Sequence, residues 1–107
     1  MKIIVDECLP KRLIRFFSED DVHTVPQIGL GGYKNSELLK ELDKRNIDVF
    51  ITIDGNIEYQ QQFKNKVFGT IIIRAVSNRF ADLEHFEKVL QETIQTITAG
   101  SIVHIPL

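Results

Sequence analysis

The sequence predicts an α/β protein: a single three-layer α/β/α domain on a mostly parallel sheet of about five strands. Short apolar runs rich in β-branched residues alternate with segments of helical spacing, the pattern of βαβ units joined by right-handed crossovers. Thr70-Ile71-Ile72-Ile73 is an unbroken apolar run of the kind that a strand buried on both faces requires. The 107 residues are 43% hydrophobic and 26% charged, which excludes disorder. A chain of that size hides roughly two thirds of its unfolded surface, enough for one core and too little for two. Residues 1–107 are therefore one domain.

The elements follow in order. Lys2 to Val5 is an apolar strand that stops at Asp6-Glu7. Pro10 suits a first helical turn, and Leu9, Leu13, Phe16 and Phe17 carry helical spacing after it. Val22 to Val25 is a second strand, and Pro26 to Lys34 a loop holding Gly29, Gly31 and Gly32. Asn35 or Ser36 can cap a helix reaching about Asn46, with Leu38, Leu39 and Leu42 inward. Asp48 to Ile53 is the third strand, closed by Asp54-Gly55-Asn56, and a short helix covers Ile57 to Phe63. Gly69 to Ile73 is the fourth strand. Ser77 or Asn78 then precedes one long helix with the stripe Leu83, Phe86, Leu90, Ile94 and Ile97, ended by Gly100. Ile102 to Ile105 is the last strand.

Cys8 is the only cysteine, so no internal disulfide forms and a reducing compartment is expected. The apolar start is too short for a signal peptide, and nothing approaches the ~20 apolar residues of a membrane span. A cytoplasmic protein with no membrane partner is the expectation. Thirteen basic and fifteen acidic residues leave a net charge of −2, so any nucleic-acid contact has to be local.

Chemistry is expected beyond the carboxyl ends of the strands, where strand order reverses. The first strand ends in Asp6 and Glu7 and the third in Asp54. If those strands are neighbours, ~4.8 Å apart, Asp6 and Asp54 stand side by side. Two carboxylates about 4 Å apart repel by about 4 kcal/mol at an effective dielectric of 20, so they share a proton or hold a cation. Their hard oxygens suit Mg²⁺ or Mn²⁺, while the lone cysteine and three dispersed histidines offer no zinc spacing. Either acid alone has a plainer explanation, Asp54 as a helix cap and Asp6 as a favourable charge at a helix start. Glu37, in the first turn of its helix, is a third acid on the same edge, equally explained by the helix dipole. Glu7 and Asn56 are further candidate ligands, Asn56 being equally a turn residue. Lys34, Arg74 and Arg79 are candidate phosphate contacts, and the glycine loop lacks the ending of a P-loop. His23, His85 and His104 show no acid partner, and Tyr59 reads as a half-buried core residue, the alternative being a ring that stacks a base.

Three segments then resemble the compact PIN-like family of small prokaryotic proteins. They are Ile3-Ile4-Val5-Asp6-Glu7 with Leu9-Pro10, then Gly32-Tyr33-Lys34-Asn35-Ser36-Glu37-Leu38-Leu39, and Asp48-Val49-Phe50-Ile51-Thr52-Ile53-Asp54-Gly55-Asn56. That family is related to the PIN-domain ribonucleases, which include toxins of toxin–antitoxin modules. The resemblance implies a parallel α/β/α sheet and an acidic cluster holding Mg²⁺ or Mn²⁺ for RNA phosphodiester hydrolysis. Asp6, Glu37 and Asp54 fall on its acidic positions. It further implies RNA as substrate, an antitoxin protein as partner, and a homodimer. Two departures stand out: Asn56 occupies a position often acidic, and Cys8 one often filled by asparagine. The alternatives are a non-catalytic PIN-like module binding an antitoxin or nucleic acid, and a phospho-accepting receiver-like domain. A receiver domain needs a lysine after its last strand, where this chain has none, and a Ser or Thr after the fourth strand, where this chain has Arg74.

Overall fold

In the computed structural model, which describes residues 1–106, five strands form one parallel sheet: β1 (Lys2–Val5), β2 (Asp21–Thr24), β3 (Val49–Thr52), β4 (Gly69–Ile73) and β5 (Ile102–Ile105). The spatial order is β2-β1-β3-β4-β5, so the direction of winding reverses at β1 and the switch point lies between β1 and β3. Ile3 pairs with Val49, Ile4 with Phe50 and Val5 with Ile51, making the two acid-terminated strands neighbours.

The two-residue period of the strands sorts the core into two layers. Ile3, Val5, Val49, Ile51, Ile71, Ile73 and Ile105 face one side. There they meet a 3₁₀ helix, Lys11–Phe17, and the helices α3 (Phe80–Leu83) and α4 (Glu87–Thr96). Ile4, Phe50 and Ile72 face the other side, against α1 (Asn35–Asp43), α2 (Ile57–Gln60), Phe63 and Phe68. The expected three-layer α/β/α domain is present, with a radius of gyration of 12.4 Å.

Several local expectations need correction. The first helical segment is 3₁₀ throughout, and its three-residue turn stacks Leu13 beneath Phe16. The helix α1 starts after Lys34 with no side-chain cap, and stops at Asp43, because Asn46 takes a left-handed backbone with φ of 54°. The long helix is broken into α3, a 3₁₀ turn Glu84–Phe86, and α4. The stripe survives the break: the three-residue step from Leu83 to Phe86 falls on the 3₁₀ turn, and the four-residue steps to Leu90 and Ile94 fall on α4. It is Ile97, not Gly100, that ends α4, in extended conformation. The short helix after Asp54 is a single turn ending at Gln60.

The crossovers also differ from expectation. The steps from β3 to β4 and from β4 to β5 run the same way across the sheet, yet α2 lies on one face and α3–α4 on the other. Two parallel crossovers with opposite faces have opposite hands, and the β4-to-β5 connection is opposite to the other three. As a result, the α1–α2 face has no helix from that connection over β5.

Gly69 marks where the returning chain crosses the sheet. A Cβ there would lie 2.6 Å from Ile97 Cγ1 and 2.9 Å from the Thr98 carbonyl oxygen, whereas one on Gly55 would meet nothing within 4 Å. Gly69→Ala is expected to lower the unfolding free energy by about 1–3 kcal/mol in urea denaturation, and Gly55→Ala by far less. Equal effects would show that the Ile97 crossing is not a tight contact.

Candidate functional site

The β1–β3 register carries Asp6 past the end of β1 and Thr52 to the last position of β3. The Asp6 amide continues the ladder, donating to the Ile51 carbonyl at 2.8 Å. Asp6 is only 6% exposed, and its carboxylate is satisfied by donors close at hand. The Glu7 N–H reaches Oδ1 at 2.8 Å. The Thr52 hydroxyl donates to Oδ2 at 2.7 Å, and the Cys8 thiol to the same oxygen at 3.4 Å.

Thr52 also links the two acids. Its hydroxyl oxygen accepts the Asp54 N–H at 3.1 Å while donating to Asp6. The Asp54 carboxylate in turn accepts the Asn56 N–H on Oδ1 at 3.0 Å and the Asn35 amide on Oδ2 at 3.2 Å. Asn35 thus brings the start of α1 to the site. Among the described residues neither Asp6 nor Asp54 has an ion-pair partner. Two carboxylates, one of them buried, thus lie along this rim without a Lys or Arg ion pair among the described residues.

The remaining candidates are placed as follows. Glu7 turns away from Asp6, and both its oxygens accept the Gly32 N–H, at 3.1 and 3.2 Å, which pins the glycine loop. Glu37 is exposed on α1 and takes no part in the hydrogen bonds around Asp6 and Asp54. Asn56 contributes its backbone N–H to Asp54. Lys34 and Arg74 are exposed and without ion-pair partners among the described residues. Arg79 precedes α3 and pairs with Asp82 at 3.3 Å, a helix-start charge. Ser77 donates to the same Asp82 carboxylate, and this hydrogen bond, with the Arg79 charge, holds it below the usual carboxylate range.

Among the described residues no three His, Cys, Asp or Glu side chains converge closely enough to hold one metal ion. A three-acid cage is therefore not assembled. Mg²⁺ does not need such a cage, being held in proteins through one or two carboxylates with water and a substrate phosphate completing its shell.

Thr52, Asn35, Cys8 and Asn78 escape a reading for acids. Asn78 donates to the Cys8 carbonyl at 3.0 Å and ties the β4–α3 loop across the rim. The one available signal is Thr52 itself, a hydroxyl at the end of an otherwise apolar strand and two residues before Asp54. Two further expectations are corrected. His104 does have an acid partner, Glu58, at 2.9 Å, and His23 lies 2.8 Å from Asp21. Tyr59 is exposed rather than half-buried in the core.

Comparison with protein-family models, curated proteins and solved structures returned no match.

Two outcomes follow from the bonds around Thr52 and Cys8. Thr52→Val removes a buried hydroxyl from Asp6, and a loss of about 1–3 kcal/mol of stability is expected in urea denaturation. Burial, and after it the charge on Asp6, push the Cys8 thiol above its ordinary pKa, so the thiolate is scarce at pH 8. Asp6→Asn removes the second of these causes. Thiol labelling by a disulfide reagent at pH 8 should become faster in that variant, and an unchanged rate would leave burial as the whole cause.

Proposed function

We propose that the protein is a metal-dependent ribonuclease of the PIN-like kind, hydrolysing RNA phosphodiester bonds at the carboxyl edge of β1 and β3, and that it serves as a toxin paired with an antitoxin. The observation that carries the reading is the Asp6–Thr52–Asp54 arrangement: at the switch point one hydroxyl joins the buried Asp6 carboxylate to the backbone N–H of Asp54, and among the described residues neither acid has an ion-pair partner. A buried carboxylate with a second acid close by in the fold, and a basic partner for neither, favours a cation at that edge. The resemblance of the segments containing Asp6, Glu37 and Asp54 to PIN-like motifs points to the same chemistry.

On this reading Asp6 and Asp54 hold the ion, Mg²⁺ or Mn²⁺. Such an ion activates a water and neutralises charge building on the phosphate oxygens. Thr52 fixes the Asp6 carboxylate through its hydroxyl, and Asn35 fixes that of Asp54. Lys34 and Arg74, exposed and without ion pairs among the described residues, are the cations assigned to the RNA backbone. Glu37, the third acid of the resemblance, is exposed on α1 and makes none of the hydrogen bonds that fix the other two.

A second reading, a binding module without catalysis, is favoured by the lack of a three-acid group among the described residues. The receiver-like alternative shares the β2-β1-β3-β4-β5 order of doubly wound sheets. It has less support, because the exposed Arg74 follows β4 and the β4-to-β5 crossover reverses hand.

Incubation with pooled RNA in Mn²⁺ or Mg²⁺ tests the proposal. Cleavage is expected, abolished by chelator and reduced by at least about 10²-fold in Asp6→Asn and in Asp54→Asn. Cleavage that survives chelation, or that both variants carry out at the wild-type rate, would refute it. RNA binding without cleavage, insensitive to chelator and to Asp54→Asn, would establish the module reading instead.

A further inference from the structure

The reversed β4-to-β5 crossover leaves a cavity of about 340 Å³ on the α1–α2 face, at the carboxyl ends of β4 and β5. Its polar wall is formed by Asn56, Glu58, Tyr59, Arg74 and His104, and its floor includes Ile72. It is continuous with the acidic rim, because Asn56, one of its walls, donates its backbone N–H to Asp54.

The side chains here are unusual for a surface depression. Tyr59 stands 83% exposed on a one-turn helix, so its ring is offered to solvent and fills no core space. Arg74 projects from the end of β4 with no ion pair among the described residues. Between them Glu58 and His104 form a 2.9 Å pair, each about one quarter exposed, with side-chain values of 27% and 25%. Among the described residues the buried side-chain polar atoms without a partner are Thr70 Oγ1 and His104 Nδ1, on the neighbouring strands β4 and β5, and of these His104 lines the cavity. An open aromatic face, a free guanidinium, and an amide that both donates and accepts are what a single nucleotide requires. The base stacks on the ring, the phosphate meets the cation, and the base edge finds polar partners.

We propose that this cavity takes one nucleotide of a single-stranded RNA, its base on Tyr59 and its phosphate at Arg74, adjoining the bond presented to Asp6 and Asp54. The proposal rests on the nucleic-acid reading above and adds to it a subsite for one nucleotide beside the acids. A base held in a duplex is already stacked and cannot lie on Tyr59, so the substrate is single-stranded. The polar wall, Asn56 with the Glu58–His104 pair, is then the part of the protein that distinguishes one base from another.

The test is binding in EDTA, which separates it from any metal-dependent cleavage. Hexauridylate and hexaadenylate are titrated into the wild-type protein, followed by fluorescence anisotropy and by amide shifts in NMR. Shifts are expected around residues 55–59, 73–75 and 104. Tyr59→Ala and Arg74→Ala should each weaken binding by about fivefold to a hundredfold, while Tyr59→Phe, which keeps the ring face, should bind as wild type. Both side chains are exposed, so unchanged melting temperatures are expected and serve as the control for folding. Shifts confined to other surfaces, undiminished binding by Tyr59→Ala, or equal displacement by inorganic phosphate and by uridine monophosphate would overturn the proposal. Hexanucleotide binding at this cavity in a protein that cleaves no RNA would uphold it and sink the hydrolase; RNA cleavage with no binding here would do the reverse.

Discussion

A carboxylate buried without a cation has to be satisfied by hydrogen-bond donors, and the way Asp6 meets that requirement determines the geometry of the carboxyl edge. Its donors come from separate pieces of the fold. The Glu7 N–H and the Cys8 thiol depend on the turn that closes when the Leu9 N–H donates to the Asp6 carbonyl at 3.1 Å. The Thr52 hydroxyl depends on β3 lying beside β1 in the observed register. A slip of one residue would place Ile51 or Ile53 opposite Asp6 and leave the acid facing an apolar side chain. The same register delivers Asp54, because its N–H donates to the hydroxyl that serves Asp6. Strand pairing, turn and acid pair therefore stand or fall together.

How far the sequence discloses this depends on the range of the interaction concerned. The strands β4 and β5 are legible to the residue, since an apolar run between turn signals depends on local composition. The adjacency of Asp6 and Asp54 is legible because two acid-terminated strands in a doubly wound sheet flank its switch point. The helix α1 is visible in its stripe Leu38, Leu39 and Leu42 but not in its end, which the left-handed Asn46 decides. The break between α3 and α4 is written in the three-residue step from Leu83 to Phe86, a signal too slight to separate from ordinary helical scatter. Asn35 is the instructive miss. As a presumed cap its side chain would serve its own helix, yet its partner is Asp54, nineteen positions away. Local rules assign an amide to the nearest backbone group, and tertiary contact overrides them.

The reversed crossover has consequences beyond topology. Right-handed connections throughout would place the β4-to-β5 helices beside α2, over Ile72, Ile102 and His104. They pack instead on the 3₁₀ helix: the Phe16 and Phe80 rings lie 5.6 Å apart, and Gln91 donates to the Phe16 carbonyl at 2.7 Å. Phe80 also lies under Arg12, whose guanidinium carbon sits 4.2 Å from the ring centroid. One face is thereby covered by two helical segments in contact. The other is covered only as far as the single turn of α2, and its far side remains open around His104. The exposed Tyr59 and the cavity beside it follow from that unequal cover.

Charge completes the reasoning about partners. A net charge of −2 opposes a polyanion in total, but charges on opposite sides of a 12.3 kDa globule are separated by more than the ~8 Å screening length of physiological salt. What a strand of RNA would sense is the local sequence of charges along the edge. Lys34, next in the chain to the Asn35 that holds Asp54, lies free on the α1 side. Arg74 lies free at the end of β4, the neighbour of β3 on the other side. Asp6 and Asp54 fall between them. On the proposed reading a dication seated on those acids turns the middle of the edge from repulsive to attractive, and a phosphate backbone crossing it meets Lys34, the ion and Arg74 in turn. Without the ion the same acids oppose the backbone. Metal loading and RNA affinity are then coupled through charge alone, before any bond is broken.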